Sequence, residues 1–120
     1  MVKEIPLEGV CGVYIVAGKD RNGRRSVFYI GEAANIYSRL TPSHEYARKL
    51  SNQRAFILHE WPDRAAKRTR IAKEIRFICA AQAVGMTLIN SRIATNAAAK
   101  YYEEEVTALN EVRALLKGLP

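Results

Sequence analysis

The chain predicts an α+β fold: a three-stranded, mainly antiparallel sheet flanked by helices, with an extra helix towards the C-terminal end. Three observations carry that expectation. Two short apolar runs flank an Asn22-Gly23 pair, and Asn-Gly is the strongest short hairpin signal because both turn positions want positive φ. A third apolar run lies at residues 54–61. Between and beyond these runs, apolar residues recur at three- and four-residue steps, the period of a helix.

Each element follows in order. Residues 11–16 are apolar and β-branched and read as the first strand. Residues 19–25 are the polar turn, and residues 26–31 return. Asn35 then caps a helix in which Ile36 and Leu40 lie four apart on the inner face. Pro42 ends that helix or starts a second short one over residues 44–50. In the run at 54–61, Phe56, Ile57 and Leu58 put apolar side chains on both faces, the mark of a central strand. Trp61-Pro62-Asp63 breaks the run and opens a long helix over residues 64–84. Ile71, Ile75 and Ile78 give it one buried stripe at i, i+4 and i+7, and Gly85 closes it. Residues 86–90 form a short apolar segment ending in Asn90, and residues 91–98 are loop-like. Residues 100–117 form a last helix, terminated by Gly118 and Pro120.

Bulk properties narrow the function. A chain of 120 residues is one domain with a single core. No apolar run approaches the length that spans a bilayer, and the first eight residues carry no signal-peptide pattern. Cys11 and Cys79 sit among apolar residues. They read as small buried hydrophobes in a reducing cytoplasm, not as a disulfide framework or a zinc site. A net charge of +7 favours a polyanionic partner, because neutralising phosphates releases counterions. Charge alone does not separate DNA from RNA or from an anionic surface.

The residues able to carry chemistry cluster around the turn. Gly12-Val13-Tyr14 precedes it and Tyr29-Ile30-Gly31 follows it. A Tyr beside a Gly lets backbone approach a ligand closely, and the hairpin sets both phenols towards one cleft. The bland alternative is two strand tyrosines packing in the sheet. Arg39 stands eight residues after Gly31, and its planar fork suits phosphate oxygens; a solvated helix Arg is the alternative. Glu74 is the only acidic residue between Asp63 and Glu103. It lies at the edge of the isoleucine stripe, where a carboxylate needs a partner. That partner is a hard cation such as Mg²⁺, or Arg70 in an ordinary i,i+4 pair.

The mirrored triplets, the turn between them and the helix carrying Arg39 resemble the GIY-YIG nuclease family, with Val13 in the place of the first Ile. The likeness runs from about residue 11 to residue 90. It implies an active site lined by Tyr14 and Tyr29, with Tyr14 as base for the attacking water and Tyr29 as a positioning group. It also implies that Arg39, with Leu40 beside it as in the family, binds the scissile phosphate. His44 stands where several members carry a His that relays a proton or contacts phosphate; a surface turn residue is the alternative. Glu74 matches the single metal-binding Glu, holding one Mg²⁺ or Mn²⁺. Gly12, Gly31 and Asn90 are supporting residues, though Asn90 is equally placed to be a turn residue or cap. Glu32 departs from the family, which often has Lys there, and puts that phosphate contact in doubt.

The resulting expectation is a metal-dependent endonuclease acting on nucleic acid, DNA before RNA. Lys19, Arg21, Arg24 and Arg25 on the hairpin, with Lys67 and Arg70 on the long helix, are expected to track the phosphate backbone. The alternative is a non-catalytic basic nucleic-acid-binding module. In the last helix, Tyr102, Val106, Leu109, Val112 and Leu116 form an apolar stripe. It either covers the sheet of its own chain or makes a homodimer. Glu103, Glu104, Glu105 and Glu111 are expected mostly off that stripe, near the helix start where the dipole favours them.

Overall fold

The structure is a computed structural model. It describes residues 2–6, 8–20, 23, 25–40, 51–90 and 102–117. The expected short helix at 44–50, the loop at 91–98 and the helix stop at Gly118 and Pro120 lie outside the described residues.

Strands β2 (Cys11–Lys19) and β3 (Ser26–Ala33) form the expected hairpin. Gly23 in its turn takes a φ of 68°, the positive value the Asn-Gly pair predicts. Strand β4 (Ser51–Trp61) pairs antiparallel with the other side of β2. The sheet has four strands, not three. Strand β1 (Lys3–Glu4) pairs with β4, giving the order β1-β4-β2-β3. Two polar residues carry no alternation to read, so β1 exists only because β4 offers it an edge. β4 is therefore internal, as expected, but its outer neighbour is only two residues long. β2 is the strand paired along its length, and residues 11–17 are all buried.

Helix α1 (Ile36–Leu40) starts as expected. The Asn35 side chain accepts the Ser38 amide at 3.1 Å, and Ile36 is buried. Helix α2 (Lys67–Ala83) begins three residues later than residue 64, because Ala66 is still extended. Its C-terminus closes in a Schellman motif: Met86 donates to Ala81 at 2.9 Å and Gly85 to Gln82 at 3.1 Å. The isoleucine stripe needs correction. Ile78 is buried, but Ile71 and Ile75 are only half-buried. The face that meets the sheet carries Phe77, Ile78, Ala80 and Ala81, whose small alanines let the helix approach closely.

The sheet has two working faces, as alternation requires. On one, Val13, Ile15, Phe28, Ile30, Phe56 and Leu58 pack under α2 and helix α3 (Glu103–Lys117). On the other, Tyr14, Val16, Val27, Ala33 and Ile57 pack with Ile36 of α1. The stripe of α3 packs against its own chain: Leu109 and Val112 are fully buried, with the half-buried Tyr102, Val106 and Leu116 packed beside them. Glu105 departs from expectation: it is fully buried, on the stripe and not off it. Lys73 reaches it at 2.6 Å and Arg76 at 3.0 Å, which is how a carboxylate is tolerated there. Among the described residues, no helix is long and apolar enough to cross a membrane.

Candidate active site

Hairpin register brings the two phenols together. Tyr14 pairs with Gly31, and Val16 pairs with Tyr29. Tyr14 and Tyr29 therefore share one face as diagonal neighbours, with ring centroids 6.2 Å apart and planes tilted by 49°. Gly31 makes this possible. A β-carbon there would lie 2.5 Å from the Tyr14 hydroxyl oxygen and 3.0 Å from the Tyr29 ring, so the phenol lies over bare backbone. Gly12 meets the same demand on the other flank, where a β-carbon would run into the His59 carbonyl.

Two more elements contribute. Arg39, in the last turn of α1, is hydrogen-bonded to the Tyr14 hydroxyl. Glu74, on α2 and half-buried, is near enough for its charge to act on the same hydroxyl. Burial pushes the Tyr14 phenol well above its ordinary range, and Tyr29 and Glu74 push it further. Arg39 opposes them and does not win. Tyr14 is consequently a neutral phenol at neutral pH, and it ionises only if more positive charge arrives.

That electrostatic imbalance suits a cation. Among the described residues, no three of His, Cys, Asp and Glu gather as a ligand set, which does not fit a closed zinc site. A single carboxylate whose charge reaches the Tyr14 hydroxyl does fit a hard divalent ion that keeps most of its waters. Glu74 is the residue able to hold it.

Asn90 acts on the backbone of the hairpin. Its amide oxygen accepts from the Ile30 N–H at 3.0 Å, and its amide nitrogen donates to the Ile30 carbonyl at 2.7 Å. Just before it, Phe28 donates to Thr87 at 2.9 Å and accepts from Ile89 at 2.8 Å. The 87–90 segment thus completes the outer edge of β3, and the Asn90 side chain stands in for a strand at the residue between Tyr29 and Gly31.

The basic residues divide. His44, Arg21 and Arg24 lie outside the described residues. Lys19 reaches across the hairpin to the Ser26 hydroxyl at 3.0 Å. Arg25 is exposed, as are Arg64, Lys67 and Arg68 at the start of α2. Arg70 requires a correction. It is not a solvent-facing cation. Its side chain is 10% exposed and pairs with Glu32, itself 13% exposed, at 2.7 Å; a second bond reaches the Ala65 carbonyl at 2.6 Å.

Glu32 had a readable signal. Gly31 faces the phenols, so residue 32 must face the helix layer, and an acid placed there needs a base from α2. The buried partnership of Glu105 had none, since three consecutive glutamates at a helix start look alike in sequence. Both cysteines are free and buried, and the Cys11 sulfur accepts the Ala65 amide at 3.3 Å. No family model, curated protein or solved structure matches this chain.

Proposed function

We propose that the chain is a nuclease of the GIY-YIG kind that hydrolyses phosphodiester bonds in nucleic acid, with DNA the first substrate to test. The observation that supports this most is the electrostatic influence of three side chains from three elements on the Tyr14 hydroxyl. Tyr29 comes from the same hairpin as Tyr14, Arg39 from α1 and Glu74 from α2, and each shifts the Tyr14 phenol. A core that needed only packing has no use for a guanidinium and a carboxylate whose charges act on a buried phenol.

The chemistry follows from the residues. Arg39 offers a fork to two non-bridging phosphate oxygens and stabilises their charge as it grows. Glu74 would hold one Mg²⁺ or Mn²⁺, which when bound would supply further neutralisation of negative charge. A cation that offsets Glu74 would weaken one of the charges raising the Tyr14 phenol, while Arg39 opposes the rest. Once its own proton has passed to solvent, the Tyr14 oxygen would accept the proton of the attacking water, and Tyr29, whose ring centroid lies 6.2 Å from that of Tyr14, would orient that water. The exposed Arg25 and Lys67 extend the positive surface along a nucleic-acid backbone.

A non-catalytic nucleic-acid-binding module is the second reading, and the neutral Tyr14 phenol is the observation in its favour. Nicking of plasmid, single-stranded DNA and RNA with and without Mg²⁺ or Mn²⁺ separates the two. Glu74→Gln keeps shape and loses charge. It is expected to abolish metal-dependent cutting while nucleic-acid binding persists. Salt-sensitive binding by a wild type that cuts none of these substrates supports the second reading; full metal-dependent cutting by Glu74→Gln removes Glu74 from the mechanism.

A further inference from the structure

Glu32 and Arg70 form a buried ion pair at the joint between β3 and α2. Both charges have left water, and the pair is 2.7 Å apart. Desolvating two ions is costly, and an apolar pair of similar bulk often serves stability as well or better. What an ion pair adds is direction. Arg70 binds Glu32 through Nε and the Ala65 carbonyl through Nη1. Its plane is thereby fixed between the sheet and the start of the helix.

The place of this tie matters. Arg70 precedes Glu74 by one helical turn, so the two lie on neighbouring parts of one face. Glu32 directly follows Gly31, over which the Tyr14 hydroxyl lies. The apolar anchors of α2 on the sheet, Phe77, Ile78, Ala80 and Ala81, all come after Glu74. Such contacts are non-directional and permit small slides. Lys73 and Arg76 tie α2 to Glu105 of α3, not to the sheet.

Resting on the reading of Glu74 as the cation-holding carboxylate, we propose that Glu32 and Arg70 are a positioning pair that sets Glu74 against the hairpin phenols. Neither touches substrate. The pair fixes the reach from α2 to the hairpin.

The test replaces the pair by Glu32→Leu with Arg70→Met, and uses Glu32→Gln as a near-isosteric second variant if the double variant does not fold. Thermal melting, Mn²⁺ titration, plasmid nicking and crystal structures are compared with wild type. The expected result is a folded variant whose Mn²⁺ affinity or cutting rate falls by about 10–100-fold, with Glu74 displaced from Tyr14. A folded variant with unchanged Mn²⁺ requirement and rate overturns the proposal, as does an unmoved Glu74. If wild type neither binds Mn²⁺ nor cuts, the nuclease reading fails by itself. The position of Glu74 in the two crystal structures then still decides whether the pair places it.

Discussion

Tyr14 concentrates the physical tension of the molecule. It is 1% exposed, yet its hydroxyl meets Arg39 and feels Tyr29 and Glu74. Tyr14→Phe keeps the ring and its packing and removes only the oxygen. Cleavage is expected to fall by about 10²–10⁴, the span of a general-base contribution, in a nicking assay at saturating Mg²⁺. The same substitution has a signature without substrate. The folded phenol ionises above the unfolded value of about 10. Its contribution to stability is therefore fully present below pH 10 and is lost as pH rises towards the folded value. Melting temperature followed from pH 9 to pH 11 (about one unit either side of the free phenol) should drop more steeply in wild type than in Tyr14→Phe. Parallel curves would mean that burial does not hold the phenol neutral.

At the scale of elements, α2 is held by charge on two sides. Glu32 takes Arg70 at its start, and Glu105 takes Lys73 and Arg76 in its middle. Burial pushes the Glu105 carboxyl up, but the bonds from Lys73 and Arg76, with its own backbone amide, outweigh that and hold it below its usual range. A depressed carboxyl stabilises above the unfolded value of about 4.3, and the stability is lost as pH falls through the folded value. Glu105→Gln should therefore cost about 1.5–3 kcal/mol at pH 7, the worth of hydrogen bonds to charged groups. In urea melts the gap from wild type should close as pH drops below about 4. A gap that stays constant with pH would assign the cost to packing instead. Arg76 also covers the Tyr102 ring at 4.9 Å, so the joint between α2 and α3 is cationic on one side and carboxylate plus aromatic on the other.

For the whole molecule, two measurements test how the surface and core are divided. Leu109 is fully buried in the core cluster beneath the sheet. Leu109→Lys places an unpaired charge there and should cost on the order of 4 kcal/mol, seen as loss of cooperative melting. Folded Leu109→Lys monomers obtained from a wild-type dimer in light scattering would instead assign the stripe to an interface. The second measurement concerns the net charge of +7. Reversing charge at Arg24 and Arg25 should lower the slope of log affinity against log salt by roughly 1 for each phosphate no longer neutralised. An unchanged affinity and slope would leave that turn as solvated surface and place binding elsewhere, with the exposed cations of the α2 start the next to reverse.

Local chemistry in the sequence determined the hairpin, the Asn35 cap, the stop at Gly85 and the mirrored tyrosine triplets. Each depends on residues a few positions apart: an Asn-Gly turn, a capping side chain, a glycine at positive φ. Their consequence for the site was legible too, because an antiparallel hairpin leaves few registers, and register decides which phenol lies over which glycine. Only the tertiary structure decided the rest. Strand β1 owes its existence to an edge supplied more than fifty residues away. The buried face of α2 follows the alanines that admit the sheet, not the isoleucines that dominate a hydrophobic count. Arg70 and Glu105 look like surface charges in sequence and are buried because partners from other elements reach them. A charge can leave water only where the fold brings it a counter-charge, and that meeting is set by how elements dock, which no short stretch of chain contains.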